Sequence, residues 1–377
     1  MSKKIVILIN SLNGGGAERV VSTLLNSFVE NYECYLILME DKISYKLDSR
    51  VNILNLNEKS NQYGLVKLLR IPLLAYKLSR IINEHKFIQV VSFLARSNYI
   101  NIISSYSSNH NTIISERAMP SLQYKSGLSG KINKFLIRKL YNKADLCISN
   151  SQGNRRDLVD NFNVANITSI PNPFDIKMIH KLSKRTIRQK KNRFTFVSIG
   201  RLDRGKNHKL IIDAMKDIDA DLWIIGDGKL KNYLKAHIED LNLVGKVFLL
   251  GQSSNPFAYL SKADCFVFAS NHEGFPNVLV EALACGLALI STDCQSGPRE
   301  ILAPGSDINF QLGDHMELGQ YGILTPVNNE EELKKSMRLM INNEELKFGY
   351  QEKSTSRASY FKSEKIIEEY KKAICVE

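Results

Sequence analysis

Residues 263–302 read ADCFVFASNHEGFPNVLVEALACGLALISTDCQSGPREIL, and they spell one complete strand, helix, strand step. Residues 265–269 form a short apolar run with the length and content of a buried strand. Residues 270–276 are polar and carry Gly274 and Pro276, as a loop does. A helix is predicted over 277–285, stopped by Gly286 in the left-handed conformation that glycine adopts cheaply, with a second buried strand over 287–291. In doubly wound sheets built from such steps, ligands sit outside the carboxyl ends of the strands, where helix N-termini offer unpaired N–H groups to anions. Glu273 therefore lies on a ligand-facing loop. Glu281 is flanked by Val280, Ala282 and Leu283 on a helix that is apolar nearly all round, so its carboxylate is poorly solvated and needs hydrogen-bond donors. The hydroxyl pairs of a sugar or a ribose are such donors. An ion pair with Arg299, or a cap on a neighbouring element, would also satisfy it.

The run from Glu273-Gly274-Phe275-Pro276 to Glu281-Ala282-Leu283-Ala284-Cys285-Gly286 resembles the signature of glycosyltransferase family 4, two glutamates separated by seven residues. Ser296-Gly297-Pro298-Arg299-Glu300 is similar to the segment that follows it in bacterial N-acetylhexosaminyltransferases of surface-glycan assembly. The resemblance covers nearly the whole chain. It implies an α/β protein of the GT-B fold, with two doubly wound, Rossmann-like parallel-sheet domains facing each other across a cleft, and retaining chemistry. It further implies that Glu281 holds the ribose diol and that Glu273, with the backbone of Gly274, Phe275 and Pro276, holds the hexose. Asn277 and Val278 fall in the same substrate-binding turn, and the N-acetylhexosamine preference rests on Asn277 and residues 296–300.

At 377 residues with 44% hydrophobic content, the chain is long enough for two cores. Six cysteines show no C-x-x-C pair and no histidine at zinc spacing, so they read as reduced thiols in a cytosol. The start, MSKKIVILINS, is too short in apolar residues for a signal peptide and reads as a first strand. No stretch approaches the ~20 apolar residues of a membrane-spanning helix. The net charge of +12 implies an anionic partner. Nucleic-acid motifs are not apparent, so a membrane-associated, phospholipid-like substrate fits better than nucleic acid. The seven histidines are scattered, and neither a metal nor a cofactor is expected. Asp219-Ala220-Asp221 spells the metal-holding motif of the other major glycosyltransferase fold, but it precedes a strand where that motif should follow one.

Along the chain, a strand over 4–9 leads into a Gly-rich loop over 10–16 and a helix over 17–28. Backbone can approach a ligand over Gly14-Gly15-Gly16, yet Arg19 stands where a dinucleotide fingerprint needs its third glycine. The loop resembles the family's Gly-Gly-Ala-Glu-Arg segment, which implies substrate contacts at Gly15 and Gly16; a turn that needs glycine for backbone reasons alone is the alternative. Strands are predicted over 36–40 and 51–56, then a basic amphipathic run over 64–86, interrupted at Pro72. Such a run can lie on anionic lipid headgroups or pack on the sheet with a solvated basic face. Strands over 90–93 and 112–115 follow, the latter opening into Glu116-Arg117. A charged pair at the end of a buried strand is placed to meet ligand, and the position is similar to one where family members present a histidine or arginine; a salt bridge within the loop is the alternative. Lys131, Lys134, Arg138 and Lys139 make a second basic amphipathic run, so the N-terminal half is the candidate membrane or acceptor face.

Strands over 145–149 and 167–170 complete a first, acceptor-binding domain, 1–173. Residues 174–193 read as a basic linker, with a charge run from His180 and no helical apolar face. The nucleotide-sugar domain, 194–345, opens with a strand and Gly200-Arg201-Leu202-Asp203-Arg204-Gly205-Lys206-Asn207 before a helix. Arg201 and Lys206, five residues apart at a helix start, suit a diphosphate clamp, or are surface charges near a turn. A similar Arg and Lys in the family neutralise the donor phosphates, which makes Arg201, Lys206 and Glu273 the candidate catalytic residues. Strands over 222–226 and 247–251 follow, and the resemblance puts Gly251 and Gln252 beside the nucleotide base. Residues 304–320 read as a polar loop, 322–327 as a strand and 330–342 as a helix. The helical tail, 346–377, is expected to cross back to the first domain.

These readings describe a metal-independent retaining transferase, cytoplasmic and peripheral on the inner face of the membrane. It moves an N-acetylhexosamine, N-acetylgalactosamine favoured, from a UDP-sugar to a polyprenyl-diphosphate-linked saccharide. The alternatives are a hexosyltransferase using UDP-glucose, UDP-galactose or GDP-mannose, a non-catalytic sugar-nucleotide-binding subunit, and a UDP-N-acetylglucosamine epimerase.

Overall fold

The computed structural model describes residues 3–58 and 64–374. The chain divides into two compact units, Met1–Pro173 with Ser363–Glu377, and Phe174–Lys362.

In the first unit, alternation of strands and helices builds a seven-stranded parallel sheet. Its strands are β1 (Lys4–Ile9), β2 (Glu33–Leu38), β3 (Asn52–Asn55), β4 (Gln89–Phe93), β5 (Asn111–Glu116), β6 (Leu146–Ser149) and β7 (Ile167–Ser169), in the order β3-β2-β1-β4-β5-β6-β7. The two-residue period of a strand sends Val6 and Leu8 to one face, with Ile71, Leu74 and Leu78 of the helix Ile71–His85. Ile5, Ile7 and Ile9 go to the other, with Val20, Val21, Leu24 and Phe28 of the helix Gly16–Phe28. The predicted basic run over 64–86 is two helices, Gly64–Leu69 and Ile71–His85, with Pro72 in the first turn of the second.

The helix Ala95–Ser108 is not predicted from the sequence, and its composition explains why. It buries Ser97, Asn98, Asn101 and Ser104 together with Tyr99, Ile100 and Ile102, so polar and apolar residues share the inward side and no clean apolar stripe marks it. Asn98 Nδ2 donates to the Ser115 carbonyl at 3.1 Å and Asn101 Nδ2 to the Val90 carbonyl at 2.9 Å, so hydrogen bonds to neighbouring strands hold it where hydrophobic periodicity is weak.

The second unit carries β8 (Thr195–Ile199), β9 (Asp221–Ile225), β10 (Val247–Gly251), β11 (Cys265–Phe268), β12 (Ala288–Thr292), β13 (Glu317–Leu318) and β14 (Ile323–Thr325), in the order β10-β9-β8-β11-β12-β14-β13. All neighbours are parallel except β13, which runs antiparallel to β14 inside the stretch predicted to be a loop. The quoted step forms as read: β11, the helix Asn277–Ala284, Gly286 at φ 79° and β12.

Two boundary expectations need correction. Residues 174–193 are not simply a linker: the helix Ile176–Ser183 is capped by Asp175, whose side chain accepts from Met178 N at 2.8 Å. Phe174 and Ile179 are buried with Val197, Phe266 and Leu279, and Ile176, Leu182 and Ile187 pack against the same cluster, so a few apolar residues within a charged stretch dock it. Nor does the whole tail belong to the first unit. The helix Glu344–Ser359 packs in the second, and the helix Ser363–Ile374 alone among the tail's helices joins the first, burying Ile366, Ile367, Tyr370 and Ile374 against the face that carries Ile5 and Ile7.

The winding reverses at β1/β4 in the first unit and at β8/β11 in the second. Those reversals open the crevices where open α/β sheets take ligands.

Candidate functional site

At the β8/β11 reversal of the second unit, two loops leave adjacent strands. The loop after β8 carries Arg201 and Lys206, and the loop after β11 carries Glu273. Asp203 shapes the first: its Oδ1 accepts from Lys206 N at 3.0 Å and its Oδ2 takes Arg201 Nε at 2.5 Å. These donors hold its carboxyl below the usual range although partial burial acts the other way. Gly226, at φ 148°, lets the turn after β9 pass against the Gly200 carbonyl, where a Cβ would collide. Asn271 clips the two loops together, donating from N to the Gly205 carbonyl at 2.8 Å and from Nδ2 to the Arg204 carbonyl at 3.1 Å.

Lys206 and Glu273, sixty-seven positions apart, are brought into contact. Lys206 Nζ lies 2.5 Å from Glu273 Oε1 and 5.4 Å from the centre of the Phe268 ring. Ser270 Oγ donates to the same carboxylate oxygen at 2.6 Å. The Arg201 side chain is 76% exposed, leaving its guanidinium open to solvent and to anions.

Glu281 is 3% exposed, with Leu279, Val280, Ala282 and Leu283 buried around it, as the sequence implies. Burial first, and the Glu281 charge second, push the neighbouring Cys285 thiol up to about 12. Arg299 is engaged elsewhere: Nη2 lies 2.7 Å from Asp293 Oδ2 and 3.0 Å from Glu317 Oε2. Ser296 Oγ donates to the Gly274 carbonyl at 2.6 Å, and Gly297, at φ 97°, packs so tightly on Pro276 that a Cβ would overlap the ring. The segment 296–297 thus seats the turn 274–276. Phe275 points into the core, edge-on to Phe361 with centroids 5.6 Å apart, and Pro276 is buried. Backbone rather than these side chains is what the turn can present. Asn277 and Val278, half-buried, open the following helix.

Of the remaining candidates, two belong to the second unit and four to the first. Gly251 ends the edge strand β10, where its carbonyl accepts from Gly226 N at 2.8 Å, and Gln252 is exposed beside it. Gly15 and Gly16 are exposed at the β1/β4 reversal of the first unit. Gly15 has φ 147° and is bracketed by the Tyr45 hydroxyl, which donates to its carbonyl at 2.8 Å and accepts from its N–H at 3.2 Å. Glu116 and Arg117 are both buried and engaged within the first unit. Glu116 accepts from the Tyr141 hydroxyl at 2.5 Å and from Arg117 N at 2.9 Å, and burial raises its carboxyl above the ordinary value. Arg117 Nη1 donates to the Tyr370 hydroxyl at 2.9 Å and Nη2 to Asn172 Oδ1, fastening the C-terminal helix.

Asp203, Asn271 and Ser270 hold the candidate residues and their loops in place, and sequence reasoning missed them. The available signal was a polar residue placed directly after a buried strand or between two candidate cations. A pocket of about 420 Å³ opens beside the loop, lined by Asp203, Arg204, Asn207, Lys209, Tyr233 and Asn271 among others, and its lining includes neither Lys206 nor Glu273. Among the described residues, no group of three or more His, Cys, Asp or Glu side chains is placed to hold a metal ion. Among the same residues, no helix is long and apolar enough to cross a membrane.

Comparison with known proteins gives matches over both units. A model described as "Glycosyltransferase Family 4" matches residues 14–177, and one described as "Glycosyl transferases group 1" matches 181–357. The chain is 38% identical over 371 residues to N-acetylgalactosamine-N,N'-diacetylbacillosaminyl-diphospho-undecaprenol 4-alpha-N-acetylgalactosaminyltransferase of Campylobacter jejuni, covering 97% of each. It is 27% identical, over 98% of each chain, to a second enzyme of that organism, GalNAc-alpha-(1->4)-GalNAc-alpha-(1->3)-diNAcBac-PP-undecaprenol alpha-1,4-N-acetyl-D-galactosaminyltransferase. Among solved structures, Anabaena HepE in complex with UDP matches with a TM-score of 0.75 at 19% identity, covering 99% of both chains, a likeness of fold. Identity of 38% over nearly the full length of a named transferase, with a family model on each half, shows that this chain belongs to glycosyltransferase family 4 and is a glycosyltransferase of the GT-B fold.

Proposed function

We propose that the protein transfers an N-acetylhexosamine, N-acetylgalactosamine in preference, from a UDP-sugar to a polyprenyl-diphosphate-linked saccharide, with retention of configuration and without a metal ion. The contact between Lys206 and Glu273 carries this reading: it sets a cation suited to a diphosphate against a carboxylate suited to sugar hydroxyls at one sheet reversal. Arg201 and Lys206 take the diphosphate, Glu273 and the backbone of 274–276 the hexose, and the buried Glu281 carboxylate the ribose diol. As the glycosidic bond breaks, negative charge grows on the leaving phosphate, and cations already in place stabilise that charge without reorganising. The lipid-linked acceptor and the N-acetylgalactosamine preference draw support from the activity for which the Campylobacter relative is named.

The first unit supports a peripheral position on the inner face of a membrane. Leu69, Leu73 and Tyr76 are exposed on helices that also carry Lys67 and Lys77, with Arg70 between them, and Leu128 and Phe135 are exposed on the helix Gly127–Leu140 with Lys131 and Lys134. Co-sedimentation with anionic vesicles at low salt, lost as salt rises, is the expected behaviour; no sedimentation at low salt removes the membrane from the proposal.

The deciding experiment offers the purified protein UDP-N-acetylgalactosamine, UDP-N-acetylglucosamine, UDP-glucose, UDP-galactose and GDP-mannose, with a polyprenyl-diphosphate saccharide and a chelator. Turnover of UDP-N-acetylgalactosamine above the others, giving an α-linked product, is expected. A metal requirement, inverted product or preference for a plain hexose each strikes out the matching clause.

A further inference from the structure

We propose that Ser270 is a positioning residue for transfer, keeping the Glu273 carboxylate directed at the hexose while the donor diphosphate draws on Lys206. The inference rests on the proposed roles of Glu273 and Lys206. One oxygen, Glu273 Oε1, takes both Lys206 Nζ at 2.5 Å and Ser270 Oγ at 2.6 Å. These two partners respond differently to a donor. Lys206 ends a flexible stem and carries a charge that phosphates compete for, so its hold on Glu273 weakens as the diphosphate arrives.

Ser270 has no such competitor. It is fully buried at the carboxyl end of β11, and its own carbonyl accepts from Thr292 Oγ1 of β12 at 2.7 Å, which ties its backbone to the neighbouring strand. Its backbone is therefore anchored to the sheet at the start of the loop that carries Glu273. With Lys206 turned to phosphate, the Ser270 hydroxyl bond restrains the carboxylate against swinging away from the sugar. A hydroxyl acting on a carboxylate through a charge-assisted bond is strong enough to matter for rate, by about ten-fold or more.

The test compares Ser270→Ala, Ser270→Thr, Glu273→Gln and the double variant Ser270→Ala/Glu273→Gln, using UDP-N-acetylgalactosamine turnover, UDP calorimetry and thermal melting. Ser270→Ala is expected to lower kcat/KM for the donor about ten-fold while UDP, which lacks the hexose, binds within about two-fold of wild type. Ser270→Thr keeps the hydroxyl and is expected within about three-fold of wild type, and the double variant should be no slower than Glu273→Gln alone. Should threonine not fit the buried position, the double variant decides. Wild-type turnover by Ser270→Ala beside a crippled Glu273→Gln overturns the Ser270 role and leaves the proposed function standing. Additive losses in the double variant, or matching losses of UDP affinity and melting temperature in Ser270→Ala, overturn it as well. Normal turnover by Glu273→Gln overturns the hexose role of Glu273, and the Ser270 proposal falls with it.

Discussion

The two units share a winding plan, and each places a Glu and a basic residue at the carboxyl ends of its strands, yet they spend those charges differently. In the second unit, Lys206 and Glu273 meet on neighbouring loops beside the exposed Arg201. In the first, Glu116 and Arg117 end β5 and turn inward, to Tyr141, Tyr370 and Asn172. A charge at a strand end is thus poised for ligand where it sits on a loop held open by other backbone contacts, as Asp203 and Asn271 hold theirs. Where a helix covers the strand end, the same charge becomes a fastening.

The largest expected effect tests the fastening. Arg117→Ala leaves the Tyr370 hydroxyl and Asn172 without their buried donor and should cost roughly 3–5 kcal/mol of stability. Hydrogen exchange should speed up in the helix Ser363–Ile374, with UDP affinity unchanged. Loss of UDP affinity in a folded Arg117→Ala variant would instead return Arg117 to the substrate, where its sequence position put it.

Acid should come next and separate the units. Burial lowers the pKa of His110 in the first unit and His208 in the second to about 4. The unfolded chain binds those protons near pH 6.5, so stability falls as pH drops from about 6.5 towards 4, by about 3 kcal/mol for each histidine. Glu116 works in the opposite sense: its folded pKa is raised, so the native state takes up its proton first and the first unit recovers part of the loss. Exchange mass spectrometry across that window should therefore find the second unit opening first, and a first unit that opens earlier would refute the contrast.

The smallest effect in energy is the most informative about chemistry. Lys206→Ala should slow transfer at least ten-fold, about 1.4 kcal/mol on the barrier, with little change in melting temperature because the Lys206 to Glu273 pair is partly solvated. Near-normal rates would remove the clamp and erase the difference between the units.

Much of this molecule is legible residue by residue. The strand, helix, strand step over 263–302, the left-handed Gly286 and the poor solvation of Glu281 follow from apolar spacing and from what glycine and a carboxylate cost in those settings. Periodicity is blind where burial is polar, as on Ala95–Ser108, and it overlooked Ile176–Ser183 because Phe174 and Ile179 are diluted by charge.

By itself the sequence determined the alternation of elements, the two parallel sheets and the candidate acids and cations, since these depend on local spacing and on the side chains themselves. Tertiary structure alone decided which of those charges meet. Lys206 and Glu273 are 67 positions apart, and Arg117 and Tyr370 are 253. Hydrogen bonds act over about 3 Å, so which partner a carboxylate or guanidinium finds is a property of the folded chain, set by strand order and by which helix covers which edge.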